Sequence, residues 1–333
     1  MSPAGTRDDR EALAALRRVM RDIFGDLLEA GDGVNNVLIW PPRRGTAECA
    51  VGYKSGFSVR RAGTAPVATV HRFFDLVAGF ARQELTRASP TLDVTLPDGF
   101  ERIHIDVPPV VAGPACSIRK PYVGRITLDD YVRDGIMTGD QCRVLRDAVA
   151  RRRESIGIVG PVDTGKTTLL RALGEEPAVQ GGIPGYVQDP VEFEPTAPGA
   201  YSKEAQRYGG ERLGMQALIA DLLRVPVTCL FAGEVRRGEM VDVVHASSTG
   251  MPVYFTAHAD GVEDALDRFA QMVGMGGVRI DDTQLRWIAK GVKLLVHVDV
   301  RPGADGKPVR EVVDIRRVLG YSRERGFEFA SVL

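Results

Sequence analysis

The stretch Ser155-Ile156-Gly157-Ile158-Val159-Gly160-Pro161-Val162-Asp163-Thr164-Gly165-Lys166-Thr167-Thr168 decides the fold of the larger part of this chain. Its middle matches the pattern G-x-x-x-x-G-K-[S/T], and a short apolar run, typical of a β-strand, precedes the match. Glycines allow the backbone N–H groups of such a loop to converge on phosphate oxygens, and a helix that follows directly adds its positive N-terminal end. The stretch therefore predicts a nucleotide triphosphate site built on a strand, a loop and a helix.

The residues of this loop have separate roles in the predicted chemistry. Lys166 would reach the β- and γ-phosphates of bound ATP, and the hydroxyl of Thr167 would be a ligand of the accompanying Mg²⁺. Asp163 is unusual, because a carboxylate within an anion-binding loop opposes the phosphate charge unless its side chain points outward. The predicted nucleotide contacts are Gly160, Pro161, Val162, Asp163, Thr164, Gly165, Lys166, Thr167 and Thr168.

Carboxylates follow two further apolar runs. Glu234 comes shortly after the predicted strand 227–232 and is the candidate for holding Mg²⁺ or polarising the attacking water. Asp189 and Glu192 follow the predicted strand 185–188, and a pair of carboxylates beside a phosphate site can orient water or metal. Asp189 is therefore a second candidate Mg²⁺ ligand and Glu192 a candidate catalytic residue. The alternative for each of them is a solvated acid at the end of a strand.

Basic groups elsewhere in the chain are the remaining candidates. His258 follows the predicted strand 253–256, where it could contact the γ-phosphate, although a single His at a strand end is more often structural. Arg102 and Arg119 lie in the first half of the chain. Arginine suits bidentate phosphate contacts and the charge of a phosphoryl-transfer transition state, so both are candidates beside the commoner role of a surface arginine.

Hydrophobic periodicity divides the chain into two parts. Residues 1–122 combine amphipathic helices, one of them over 67–87, with short alternating strands, and this mixture predicts a smaller α+β domain. Residues 123–333 alternate strands with helices, such as one over 212–223, and this alternation predicts an α/β domain with a largely parallel sheet. An antiparallel hairpin is expected over 293–318.

Composition restricts the class of protein. The formal net charge of −1 provides no field for gathering nucleic acid. The four cysteines form no CxxC pair, which excludes the usual zinc and disulfide patterns and fits a reducing cytoplasm. Neither a signal-peptide core nor an apolar run of about 18 residues is present, so the expectation is a cytoplasmic protein without a transmembrane segment that meets a membrane only peripherally.

The order of these motifs resembles that of the secretion-superfamily ATPases, the hexameric RecA-like motors of type II secretion, type IV secretion and type IV pili. Residues 188–192, Gln-Asp-Pro-Val-Glu, stand where that family has its Asp box. Residues 233–236, Gly-Glu-Val-Arg, look like its Walker B element, and residues 256–259, Thr-Ala-His-Ala, look like its His box.

Within the superfamily, the chain looks most like the TrbB-type conjugal-transfer ATPases. This likeness runs from about residue 66 to the C-terminus. Four segments between the first domain and the motor carry it, namely residues 96–99, 108–111, 117–120 and 128–132. Residues 189–193 resemble the pilus-motor branch equally well.

The resemblance implies a cytoplasmic homohexamer in which ATP and Mg²⁺ bind between an α+β first domain and a RecA-like P-loop NTPase domain. Its implied partners are inner-membrane secretion or pilus components, and it would meet nucleic acid only indirectly. The residues that carry over are Lys166 and Thr167 as phosphate and Mg²⁺ ligands, Glu234 as the Walker B carboxylate, His258 as the His-box residue, and Arg102 and Arg119 as first-domain arginines that contact the nucleotide.

Three departures from the family pattern bear on turnover. Gln188 stands where the family usually has Glu, Asp163 replaces a small residue, and Met251 stands where His is common. Each would slow hydrolysis, so one alternative is a nucleotide-binding scaffold ring with weak or no hydrolysis. A pilus assembly or retraction motor is another alternative, and a DNA-handling RecA-like protein is the one that the near-neutral charge disfavours.

Overall fold

The computed structural model describes residues 7–29, 34–55, 58–99, 101–120, 124–189, 191–208, 211–302 and 308–332. The chain forms two compact units, Met1–Val123 and Gly124–Leu333. The domain boundary predicted between residues 122 and 123 lies outside the described residues and stays a prediction. None of the helices described is both long and apolar enough to cross a membrane.

The first unit combines two α-helices with an antiparallel sheet, six-stranded as far as its residues are described. Its elements are α1 (Arg7–Phe24), which continues into a 3₁₀ turn at Gly25–Leu27, β1 (Asn36–Trp40), β2 (Glu48–Ser55), β3 (Ser58–Pro66), α2 (Val67–Ala81), β4 (Thr91–Thr95), β5 (Arg102–Asp106) and β6 (Ala115–Arg119). The strand order is β3-β2-β1-β6-β5-β4. The two helices pack together through aromatic side chains, with the rings of Phe24 and Phe73 meeting edge to face at 5.9 Å. The predicted α+β class of this part is confirmed.

The second unit alternates strands and helices, as its sequence pattern predicts. Its described elements are α3 (Leu128–Arg133), α4 (Gly139–Arg151), β7 (Ile156–Val159), α5 (Lys166–Gly174), α6 (Pro177–Gln180), β8 (Pro184–Gln188), β9 (Tyr201–Glu204), β10 (Gln206–Tyr208), β11 (Glu211–Leu213), α7 (Met215–Leu222), β12 (Cys229–Val235), α8 (Met240–Ser248), β13 (Val253–Ala257), α9 (Val262–Met275), α10 (Asp282–Gly291), β14 (Leu294–Pro302), β15 (Pro308–Ser322) and β16 (Gly326–Ser331).

A large mixed sheet forms the centre of this unit, in the order β16-β15-β14-β7-β13-β12-β8-β9. The six strands from β14 to β9 in this order run parallel, whereas β15 and β16 continue the sheet antiparallel. Every residue of β7, β8 and β13 is buried, as expected for parallel strands covered by helices on both faces. One apolar cluster joins the sheet to α7–α10 and another joins it to α3–α5, so the predicted α/β class is confirmed.

Several element boundaries differ from the sequence predictions. The helix expected over 67–87 ends at Ala81, because Arg82 adopts a left-handed conformation with φ 53°. The helix expected over 212–223 begins only at Met215, because residues 211–213 pair with β10 as an antiparallel strand. The expected C-terminal hairpin is present as β14 and β15, and β16 extends it by a further strand.

Candidate functional site

Four parallel strands bring the candidate residues of the second unit to one edge of the sheet. Strand β7 ends at Val159, directly before the phosphate-binding loop (residues 160–167). Asp189 follows β8, Glu234 lies near the end of β12, and His258 follows β13. Because β7, β13, β12 and β8 are neighbours and run parallel, their carboxyl ends share an edge, where open α/β sheets bind their ligands.

The phosphate-binding loop rests on the backbone of the neighbouring strand β14. Gly160 has φ 148°, and a Cβ atom added to it would lie 2.0 Å from the carbonyl oxygen of Val298. Gly165 has φ 96° and precedes α5, which begins at Lys166. Between them, Asp163 adopts a left-handed conformation with φ 64°, which is uncommon outside glycine although Asp tolerates it better than most residues. The loop therefore has the sharply turned backbone that the glycine pattern predicts.

Lys166 folds back into this loop. Its ammonium group donates to the carbonyl oxygens of Gly160 at 3.0 Å and Pro161 at 2.6 Å, and only 7% of the residue is exposed. A third contact joins Lys166 Nζ to Nδ1 of His258 at 3.3 Å. The predicted phosphate-binding lysine and the predicted His-box residue are thus direct neighbours.

A chain of polar contacts continues from His258 to the predicted Walker B carboxylate. Nε2 of His258 lies 2.9 Å from Oε1 of Glu234, and the guanidinium of Arg236 donates to Oε2 of the same carboxylate at 2.6 Å. Since an ammonium group can only donate, Nδ1 of His258 must accept from Lys166, which leaves the proton on Nε2 to be donated to Glu234. The partners of His258 therefore assign the Nε2–H tautomer.

A local irregularity of the sheet sets the position of Glu234. The register between β12 and β13 shifts between Ala232 and Val235, and within this shift the hydroxyl of Thr256 donates to the carbonyl oxygen of Gly233. Bulges of this kind redirect side chains next to active sites. Here the shifted residue is the carboxylate that meets His258.

The surroundings of Glu234 favour its ionised form. Burial on its own would raise the pKa of Glu234, but the hydrogen bond and charge of Arg236, together with the neighbouring His258 and the charge of Lys166, outweigh that effect and lower the pKa. The hydrogen bond to Glu234 in turn raises the pKa of Arg236, and the charges of Asp189 and Glu192 act in the same direction. Arg236 is therefore a positive centre among three carboxylates.

Gln188 organises the start of the acidic loop, residues 189–196, of which residue 190 lies outside the described part of the chain. Its Oε1 atom accepts from the backbone N–H groups of Glu192 at 3.0 Å and Phe193 at 3.3 Å, and its Nε2 atom donates to the carbonyl oxygen of Phe193 at 2.9 Å. The residue is only 2% exposed. Gln188 therefore fixes the turn that carries Asp189 and Glu192, and its own side chain is fully engaged by the backbone.

The site is suited to a nucleotide with Mg²⁺. The loop leaves no space for a side chain at Gly160, the N-terminus of α5 follows it, and the Lys166 ammonium lies inside it. Among the residues that the structure describes, no group of three or more His, Cys, Asp or Glu side chains could hold a metal ion. Mg²⁺ in phosphate sites commonly takes one or two protein ligands and completes its shell with phosphate and water oxygens. Thr167, Glu234 and Asp189 stay its predicted ligands.

The two candidate arginines lie in the first unit. Arg102 on β5 and Arg119 on β6 are direct cross-strand partners, so the antiparallel sheet brings together two residues that are 17 positions apart in the chain. Their contact with a nucleotide stays a prediction.

Two further arginines were not singled out from the sequence. Arg236 is the ion-pair partner of Glu234, and its place two residues after that carboxylate was an available signal. Arg310 on β15 reaches the phosphate-binding loop, with its guanidinium 3.5 Å from the carbonyl oxygen of Asp163 and its Cδ atom 3.2 Å from where a Cβ of Gly165 would lie. No local pattern marks Arg310, because its position depends on strand pairing across about 150 residues.

Comparison with known proteins agrees with this arrangement. The sequence model of the family described as "Type II/IV secretion system protein" matches residues 60–296. The conjugal transfer protein TrbB of Rhizobium radiobacter is 30% identical over 263 residues, which are 78% of each chain. A putative conjugal transfer protein of Mycobacterium tuberculosis is 28% identical over 329 residues, covering 94% of this chain and 90% of that one.

Solved structures show the same fold at low sequence identity. The pilus retraction motor PilT with bound ADP superposes with a TM-score of 0.63 at 14% identity, covering 94% of this chain and 84% of the other. The ATPase DotB of Legionella pneumophila gives a TM-score of 0.59 at 12% identity, with 94% and 80% covered. The RecA-like class predicted for the second unit is thereby confirmed. The chain belongs to the type II/IV secretion system protein family, as a secretion-superfamily ATPase similar to the TrbB conjugal transfer proteins.

Proposed function

We propose that this chain is the ATP-hydrolysing subunit of a hexameric motor that serves a conjugal-transfer or type IV secretion system. The observation that carries the proposal is the hydrogen-bonded chain from Lys166 through His258 to Glu234 and Arg236, next to the phosphate-binding loop. It links the lysine that would hold phosphate to the carboxylate that would act on water. Polar residues that only end a strand would not need to form such a hydrogen-bonded chain.

The chemistry follows from what each side chain can do. On binding ATP, Lys166 exchanges its two loop carbonyl partners for phosphate oxygens, which are stronger acceptors because they are charged. Mg²⁺, when bound, would offset charge on the phosphates, with Thr167, Glu234 and Asp189 as its protein-side ligands. Ionised Glu234 accepts a hydrogen bond from the attacking water and orients it.

The remaining candidates are assigned supporting roles. Glu192 is a second carboxylate able to orient water, held by the turn that Gln188 fixes. His258 responds to the position of Lys166, because the two share a hydrogen bond in this arrangement. Arg102 and Arg119 are proposed to contact the nucleotide, and the hexamer is proposed to act in the cytoplasm on inner-membrane secretion components. The names of the TrbB relatives support conjugal transfer as the process.

Steady phosphate release by the purified chain tests the proposal. We expect Lys166→Ala to abolish release, because it removes the phosphate-binding ammonium group. Lys203→Ala is the matched control, since Lys203, on strand β9, pairs with Asp221 of α7, and it should keep the wild-type rate. In the same preparations, the active form should sediment at six times the mass of the 36.2 kDa chain.

A scaffold ring that binds nucleotide without sustained hydrolysis is the second candidate. It is favoured by Gln188, whose amide is held by the backbone at a position where the family usually has a carboxylate. Tight ATP binding without phosphate release would support the scaffold and contradict the motor. Failure of the wild-type chain to bind ATP at all would contradict both.

A further inference from the structure

We infer that Glu175, the residue after α5, is a positioning residue that ties the acidic loop to the first residues of the second unit. The inference deepens the proposed function and rests on it, because it concerns how Asp189 and Glu192 are held for catalysis. It is based on hydrogen bonds, an ion pair and ring contacts that all meet at the end of α5.

Glu175 joins two parts of the chain with one carboxylate. Its Oε1 atom accepts from the hydroxyl of Thr196, in the acidic loop, at 2.6 Å. Its Oε2 atom pairs with Nε of Arg125 at 2.5 Å. The Glu175 side chain itself is only 10% exposed, whereas its two partners, Arg125 and Thr196, lie at the surface. Gln180 holds the same Thr196 hydroxyl from the other side, at 2.9 Å.

A second pair of contacts runs parallel to the first. The guanidinium of Arg171 lies 5.1 Å from the ring centre of Phe193 and donates to the carbonyl oxygen of Gly124 at 3.0 Å. Phe193 in turn packs edge to face against Tyr186 of β8 at 5.9 Å. Since Gln188 binds the backbone of Phe193, the acidic loop is held at its start by β8 and at its end by α5.

Helix α5 therefore has a role at each end. Lys166 begins the helix inside the phosphate-binding loop. Arg171, in the last turn, and Glu175, directly after the helix, hold the acidic loop. The same two side chains hold Gly124 and Arg125. A displacement of these first residues is thus transmitted to the loop that carries Asp189 and Glu192.

The packing at this junction leaves room for such a displacement. A cavity of about 290 Å³ is lined by the same groups, among them Gly124, Arg171, Glu175, Phe193 and Thr196. Groups that border a cavity can shift with less disturbance than groups in a close-packed core. The hydrogen bond and the ion pair of Glu175 then add to the hydrogen bonds of Gln188 and the packing of Phe193 in setting the position of the acidic loop.

The test compares variants by steady-state kinetics with ATP. Glu175→Ala and Thr196→Val should each lower kcat about tenfold, because small displacements of catalytic groups have large effects on rate, while the KM for ATP stays within about twofold. Glu175→Gln keeps an acceptor for Thr196 and should recover most of kcat. Glu154→Ala is the matched control, because Glu154 is a similarly shielded carboxylate paired with Arg317, and its kcat should equal that of the wild type.

Hydrogen exchange of the 333-residue chain without nucleotide provides a readout that does not depend on catalysis. Backbone amides of residues 188–196 should exchange faster in Glu175→Ala and Thr196→Val than in the wild type or Glu154→Ala. Unchanged exchange there, or a kcat that stays at the wild-type value in both variants, would overturn the inference. A wild-type chain that releases no phosphate would contradict the proposed function alone, and the exchange comparison would still decide the role of Glu175.

Discussion

At the scale of single residues, Gln188 shows how a structure changes the meaning of a sequence difference. A Gln in place of the family's usual Glu reads as a weakened catalytic position. In the structure, both ends of the Gln188 amide bind the backbone of the acidic loop, one as acceptor and one as donor. We therefore expect the residue to affect catalysis through the loop that it holds.

We therefore expect Gln188→Glu to impair the chain and not to restore a faster enzyme. An ionised carboxylate cannot donate to the carbonyl oxygen of Phe193, and the free energy of unfolding should fall by about 1–3 kcal/mol, as for other buried polar groups that lose their partner. Phosphate release should fall as the loop loosens.

Gln141→Glu is the matched control for this prediction. Gln141 is also buried, accepts from the backbone of Thr138 and donates to the carbonyl oxygen of Val312, but it belongs to α4. The two variants should be destabilised similarly in urea unfolding, whereas only Gln188→Glu should slow phosphate release. A faster Gln188→Glu enzyme would restore the interpretation of a weakened catalytic position.

Arg236 is the residue whose removal should be visible in the pH dependence. The pKa of Glu234 is lowered in the folded chain, so the stability that its ionised form contributes is present above the ordinary carboxyl range and is lost as the pH falls through the lowered value. Arg236→Ala removes the main group that lowers this pKa but leaves the burial that raises it. The acid limb of the kcat/KM profile should move to higher pH, with Arg236→Lys in between.

The exposed neighbour Arg237 supplies the control for this measurement. Arg237→Ala changes the net charge equally, but its guanidinium is not the hydrogen-bond partner of Glu234. The acid limb of the kcat/KM profile of Arg237→Ala should coincide with that of the wild type. Coincident limbs for Arg236→Ala and the wild type would mean that Glu234 does not need to be ionised for turnover.

At the scale of elements, the strand–loop–helix unit could be predicted because its signals are local. An apolar run, a fixed glycine spacing and a following helical pattern all lie within residues 155–174. Strands β9 and β10 were missed because they are short and carry few apolar residues, whereas β16 was missed although Phe327 and Phe329 alternate with Glu328. The contact of β14 with Gly160 depends on pairing between distant strands, which no local pattern reports.

That contact between elements makes Gly160 the most restrictive glycine of the loop. In Gly160→Ala, the new methyl group would meet the Val298 carbonyl oxygen at 2.0 Å, so β14 or the loop must move. We expect a loss of unfolding free energy of about 2–4 kcal/mol together with weaker ATP binding.

Gly250→Ala is the control that measures the cost of backbone strain without the clash. Gly250 also has a positive φ, 96°, but nothing lies within 4 Å of its added Cβ, so the loss should be only about 1–2 kcal/mol. Urea unfolding can be followed at Trp287 of the second unit in a Trp40→Phe background, since the chain has two tryptophans. Equal losses of unfolding free energy in Gly160→Ala and Gly250→Ala would mean that the loop and β14 separate easily.

At the scale of the whole molecule, composition and periodicity predicted the α+β and α/β classes and their order along the chain. The glycine pattern and the polar residues that follow the apolar runs predicted which strand ends would carry chemistry, and Lys166, His258 and Glu234 do meet in the structure. Their chemical roles stay predictions. The contacts of Arg171 and Glu175 with the acidic loop could not be predicted. They depend on side-chain directions and on contacts between segments that lie 21 to 50 residues apart in the chain.

The support of the phosphate-binding loop by β14 also bears on the kinetics of nucleotide capture. A loop whose backbone lies directly against a strand has little conformational entropy left to lose when ligand arrives. The loop conformation that binds ATP is then already the most populated one. The affinity for ATP is therefore not reduced by the need to reach a rare conformation first. ATP should therefore associate without waiting for a rearrangement of the loop backbone. Differences in ATP affinity among loop variants should then arise mainly from the dissociation rate.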